Sequence, residues 1–153
     1  MTIEDDIAFL QRVPALAILG RDALRILAIG TENRYVHEGV TLFGEGEQAD
    51  GAYVVQEGSF DLVKRDNGVA TVVGPGALIG EVALISETRR PVSAVAREPS
   101  SVVRIPRQLF LKVLESDPDA ALRMRDALAA RVNQTATEFA RVRAGLAGGV
   151  IRK

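Results

Sequence analysis

The stretch GALIGEVALISETRRPVSAVA, residues 76–96, sets a glycine turn, the acid Glu81 and the double arginine Arg89-Arg90 among small apolar residues. A turn at Gly76 that feeds a short helix starting near Gly80 leaves the first backbone N–H groups of that helix unpaired at a positive dipole end, where an anion is attracted. Residues 80–85, GEVALI, suit one or two helical turns, and SETRRPVSAVA leads back into a strand, so helix and strand flank one pocket. An arginine from the strand side completes a phosphate site, because the planar guanidinium donates two parallel hydrogen bonds to phosphate oxygens and stays charged. Glu81 is repelled by the same anion and must accept from something else. A sugar hydroxyl is the natural donor, and the pair describes a ribose with a phosphate nearby.

The residues on either side agree with a roll of strands around that pocket. From Asn33 to Ile105 the chain runs through AYVVQ, SFDLVKR, ATVVG, VSAVARE and SVVRI, short segments rich in valine and aromatic residues that read as strands. Glycines at 39, 44, 46, 51, 58, 68, 74, 76 and 80 stand between them, where tight turns with positive φ are expected. Many short strands with no helix long enough for a crossover predict an α+β chain built on an antiparallel β-roll, a jelly-roll-like barrel. Before the roll, Ile7, Leu10, Leu16, Leu24 and Leu27 recur at helical spacing with Pro14 and Gly20 as interruptions, which predicts two short helices. After it, Pro106 is expected to open a helix that buries Phe110, Val113 and Leu114. Asp117 then caps a further helix with Pro118 in its first position. Leu128, Val132, Thr135, Phe139, Val142 and Leu146 continue that helix as a seam of spacings four and three. The expected organisation is one domain over 1–153: N-terminal helices at 1–31, a roll at 32–105 with the phosphate cassette at 80–93, and C-terminal helices at 106–146.

The 80–93 segment resembles the phosphate-binding cassette of the cyclic nucleotide-binding domain family, which includes catabolite-activator-type regulators and the regulatory subunits of cyclic-nucleotide-dependent kinases. Gly80, Glu81, Val82, Ala83 and Leu84 match the family's Gly-Glu-apolar-Ala-Leu run, and Arg90, Pro91, Val92 and Ser93 stand where the family has arginine, two small residues and a threonine or serine. FGEGE, AYVVQEGSFDLV and VGPGALIGE extend the resemblance over nearly the whole chain. It implies a cyclic nucleotide as ligand, with Arg90 rather than Arg89 on the phosphate and Glu81 on the ribose 2'-hydroxyl. Gly80, Val82, Ala83, Pro91 and Val92 would line the site, and Thr135 stands where activator-type relatives carry a base-contacting threonine. Pro91 departs from the pattern. It has no backbone N–H to give the phosphate, and it lacks the hydroxyl found there in many cGMP-selective members, so cAMP is expected ahead of cGMP.

Composition excludes several other classes. The 153 residues carry a formal charge of -1, which offers no bulk attraction for nucleic acid. There is no cysteine and one histidine, so disulfides, thiolate metal sites and most haem sites are not expected. His37 is expected on an edge or surface. GPGALIG is not a dinucleotide fingerprint, and neither Ser86 nor Ser93 lies in a nucleophile elbow, so no enzyme is expected. No secretory signal or apolar run of membrane-spanning length appears, and the expected compartment is the cytoplasm. The expected product is a sensor with no cofactor, no metal, no membrane contact and no DNA-binding domain of its own. It would pair as a homodimer through the C-terminal helix or act on an effector protein. The competing reading is a scaffold of the same fold that binds no ligand and serves oligomerisation or protein interaction.

Overall fold

A computed structural model describes residues 2–66, 68 and 70–127 of the chain. Three helices precede the roll: α1 (Ile3–Gln11), α2 (Pro14–Ala17) and α3 (Arg21–Gly30). Thr2 starts α1 with a capping box, its side chain accepting from the Asp5 amide while the Asp5 carboxylate accepts from the Thr2 amide. These local bonds hold the Asp5 carboxyl below the usual aspartate value. The expected pair of helices is three because Pro14 opens a separate turn at its first position and Gly20 caps α3 with a φ of 86°. Glu4 accepts from Arg21 and Arg25 and ties α1 to α3.

Among the described residues ten strands follow: β1 (Glu32–Val36), β2 (Thr41–Phe43), β3 (Gln48–Ala49), β4 (Gly51–Glu57), β5 (Phe60–Val63), β6 (Ala70–Val73), β7 (Leu78–Ile79), β8 (Thr88–Arg89), β9 (Ser93–Ala96) and β10 (Ser100–Pro106). They pair antiparallel as two four-stranded sheets, β1-β10-β4-β7 and β2-β9-β5-β6, with β3-β8 as a separate ribbon. Among the described residues the sheets face one another without closing into a barrel, so the expected antiparallel roll is present in its open, jelly-roll-like form. Between them lies one core of Val36, Phe43, Tyr53, Val55, Phe60, Ile79 and Val102. The other face of the first sheet, through Ala52, Val54, Val103 and Ile105, packs on Ile7, Leu10, Leu24, Leu27, Phe110 and Val113 of the helices. Both faces of β4 are thus covered, which is why AYVVQ is apolar without alternation.

Of the glycines expected at positive φ, those at 39, 46, 58, 68, 76 and 80 have it, and Gly44, Gly51 and Gly74 do not. Gly51 opens β4 and is glycine for a different reason: a Cβ there would collide with the Ile105 carbonyl oxygen and stand 2.9 Å from Pro106 Cα. The strand β10 crosses too closely for any side chain.

The helix α4 (Arg107–Ser116) follows β10, burying Phe110 and Val113. Pro106 is the last residue of β10 and caps α4 with a ψ of 143°, so the helix opens one residue later than expected. A further helix, α5, is described over 118–127; Asp117 caps it as expected, its carboxylate accepting from the Ala120 amide at 3.1 Å. The seam from Leu128 to Leu146, including Thr135, lies outside the described residues. Among the described residues no helix is long and apolar enough to cross a membrane.

Candidate functional site

The cassette begins where β7 ends. Gly80 adopts φ 78°, ψ 37°, the left-handed region that favours glycine, and leads a single 3-10 turn over Glu81–Leu84. This is shorter than the one or two α-turns expected. The Ala83 amide bonds back to the Gly80 carbonyl at 3.1 Å and buries Ala83 and Leu84, and a turn of this length has little macrodipole. Attraction for an anion therefore has to come from a side chain.

Arg90 is that side chain. It is only 4% exposed, and its Nη1 is buried with no hydrogen-bond partner among the described residues. Its backbone is pinned on both sides, the amide donating to the Glu47 carbonyl and the carbonyl accepting from the Gly46 amide, each at 2.8 Å. Ser93 Oγ fixes the same turn by accepting from the Glu45 amide at 2.8 Å. The guanidinium lies 4.3 Å from the centre of the Phe43 ring and 5.6 Å from that of Tyr53, two rings stacked 5.9 Å apart. A cation held over aromatic faces is stabilised by their quadrupoles. Its far end reaches Gly80, where a Cβ would overlap Nη1. Glycine at 80 therefore serves both the left-handed turn and the approach of Arg90. Burial pushes the guanidinium below the usual arginine value, against the pull of Asp50 and Glu47. It stays charged even so, and an uncompensated buried donor of this kind is costly unless an acceptor reaches it.

The two arginines of the motif have separate places. Arg89 is exposed, its guanidinium donating to the Gly46 carbonyl at 2.9 Å. Of the other expected site residues, Val82 and Pro91 are exposed, and Val92 packs partly buried on the inner core. Glu81 is half-buried and lines a cavity of about 360 Å³ whose walls include Val13, Ile18, Leu78 and Met124. His37 is exposed, its ring edge-on to Tyr35.

Four residues missed in the sequence complete the surroundings. Phe43 and Tyr53 come to Arg90 from β2 and β4. Asp50 accepts from Arg104 Nη2 at 2.6 Å. Arg107, the first residue of α4, donates through Nη1 to the carbonyls of Ala49, Ala83 and Ser86 at 3.0, 3.2 and 3.1 Å. A cation at a helix N-terminus opposes the dipole, and that mismatch is the signal in the sequence that Arg107 serves something other than α4. It clips α4 to the 3-10 turn of the cassette and to the end of β3. Replacing it, Arg107→Met, leaves three carbonyls without a charged donor and is expected to cost about 2 kcal/mol, read as a lowered midpoint in urea with an unchanged slope.

Fold and site together define a class: an open antiparallel β-roll that carries a buried arginine against a glycine-led turn. The chain belongs to the cyclic nucleotide-binding domain family, whose pattern matches residues 33–117, over half of its length. It is 32% identical over 126 residues to an uncharacterized NTE family protein of Mycobacterium tuberculosis, covering 82% of this chain and 22% of that protein. It is 30% identical over 107 residues to the cAMP-dependent protein kinase regulatory subunit of Yarrowia lipolytica, covering 69% of this chain and 28% of that subunit. The chain thus spans about a fifth to a quarter of the length of these curated relatives. Among solved structures, a cyclic nucleotide-binding-like protein from Brucella abortus matches with 41% identity and a TM-score of 0.65 over 72% of this chain and 98% of that one.

Proposed function

We propose that this domain is a cyclic nucleotide sensor that prefers cAMP to cGMP and regulates without catalysing a reaction. The observation that carries the reading is Arg90 Nη1, a buried cationic donor without a partner among the described residues, beside Gly80. A cyclic phosphate supplies the acceptor that this donor lacks, in the charge-assisted geometry that guanidinium favours. Glu81 takes the ribose 2'-hydroxyl, and Val82, Ala83, Pro91, Val92 and Thr135 frame the rest. The preference for cAMP rests on Pro91, which has no hydroxyl, and is supported by the resemblance to a cAMP-dependent regulatory subunit. Ligand can act only through a difference in affinity between two states. Arg107 offers the link, since any shift of Ala83 or Ser86 moves carbonyls that α4 holds. The response then passes to the C-terminal helices, as a change in homodimer contacts or in the grip of an effector protein.

Calorimetric titration of nucleotide-stripped protein with cAMP and then cGMP tests this. Saturable binding at micromolar or tighter Kd, with cAMP the tighter, is expected. No saturation by either at millimolar concentration means that Pro91, by withholding an N–H, has disabled the cassette, and the scaffold reading then replaces the sensor.

A further inference from the structure

Arg104 is out of place by the rules that made the rest of β10. Val102, two residues before it, belongs to the core between the sheets, while Val103 and Ile105 belong to the core under the helices. Strand alternation puts Arg104 on the inner face with Val102, directly opposite Tyr53 in the β10–β4 register. That is the ring over which Arg90 lies on its other approach. The residue whose ring Arg90 approaches is thus the cross-strand partner of Arg104, and two cations brought to one place repel unless carboxylates stand between or beside them.

The carboxylates are distributed unequally. Arg104, with 17% of its side chain exposed, has Asp50 at 2.6 Å on Nη2 and Glu32 at 3.6 Å on Nη1. Arg90, more deeply buried, has no acceptor for Nη1 among the described residues. Asp50 is the acid both cations feel: it is bonded to Arg104 and also acts on the charge of Arg90. Its side chain is 68% exposed, so packing does not dictate which cation it faces.

We propose that Arg104 is a positioning residue for the anion site, holding the Asp50 carboxylate on its own guanidinium and away from Arg90, so that Arg90 meets an incoming phosphate uncompensated. This rests on the reading of Arg90 as the phosphate anchor. Remove Arg104, and Asp50 turns to the unsatisfied buried cation; ligand phosphate must then displace a charged hydrogen bond that is already formed. The exposed Asp50 acts as an internal competitor, and Arg104 is what keeps it occupied.

The test is a double-mutant cycle on cAMP affinity with Arg104→Met, which keeps the stem against Tyr53, Asp50→Asn, and both together; Arg104→Gln serves in the same comparison should the methionine variant not fold. Arg104→Met is expected to weaken cAMP about tenfold, the effect of one charge-assisted competitor. Asp50→Asn alone should stay within about threefold of wild type, and the double variant should return to within about threefold, a coupling that only linked residues show. An Arg104→Met affinity equal to wild type overturns the proposal, as does an Asp50→Asn gain of the same factor in both backgrounds, which would mean that Arg104 contributes only its field. The nitrogen-15 resonances of the Arg90 guanidinium provide a readout without nucleotide: they should shift in ligand-free Arg104→Met and return in the double variant. Wild-type protein that binds no cAMP while these shifts appear defeats the sensor reading and upholds the role of Arg104. Shifts that fail to appear overturn that role even if cAMP binds.

Discussion

Arg90→Met is expected to lower cAMP affinity at least 100-fold and yet leave the ligand-free domain as stable as wild type or more so. Losing a charge-assisted bond costs roughly 1.5–3 kcal/mol, and a guanidinium that engages phosphate through two nitrogens loses about twice that. About two to four powers of ten in Kd follow. The stability result has the opposite sign because Arg90 is 4% exposed and Nη1 has no acceptor among the described residues. Methionine fills the space over Phe43 and Tyr53 without a buried charge. The lost cation–π attraction, about 1–2 kcal/mol, is offset by relief of the desolvation that a buried guanidinium suffers when one of its nitrogens lacks an acceptor. A melting temperature unchanged, or raised by about 2–4 °C, together with loss of binding marks a residue kept for its ligand. A variant that loses binding and stability in step would instead mark Arg90 as a structural post.

Gly51→Ala is expected to produce the largest loss of stability, about 3 kcal/mol or more, at the upper end of what overpacking costs. The added methyl would meet backbone atoms, the Ile105 carbonyl oxygen and Pro106 Cα, which have no rotamer by which to withdraw. Relief requires β4 and β10 to separate where their pairing runs from Gly51 to Pro106. The strain does not stay local. Asp50 and its carbonyl partner, the Arg107 amide at 2.7 Å, lie at the same crossing, so the cassette clip loosens with the sheet. Thermal and urea unfolding should both shift. By contrast a methyl at Gly39 or Gly76 would touch nothing among the described residues, although the positive φ there still disfavours it.

How much of this was legible in the sequence depends on whether a feature is local. The strands of the roll announced themselves because β4, β5, β9 and β10 are runs of valine, phenylalanine and alanine long enough to show. The pairs β3-β8 and the strand β7 have two residues each and exist only because other elements place them, so no window of sequence could contain them. Arg90 could be separated from Arg89 by its spacing to Glu81. Its aromatic neighbours Phe43 and Tyr53 could not be assigned, since they are 47 and 37 residues away and meet only across two sheets. Arg104 leaves a trace in the sequence, a charge within SVVRI at a position whose alternation points inward. The helix expected from GEVALI is one 3-10 turn, and its propensity does not reveal that Arg107, more than twenty residues on, takes the carbonyls of Ala83 and Ser86.

The central claim is that Arg90 waits for a phosphate, and a crystal structure of the protein grown with cAMP tests it most directly. A phosphate oxygen within about 3 Å of Arg90 Nη1, with the ribose toward Glu81, is the result expected. Nucleotide held instead by Arg89, or seated away from the Gly80 turn with Nη1 still unpartnered, would contradict it.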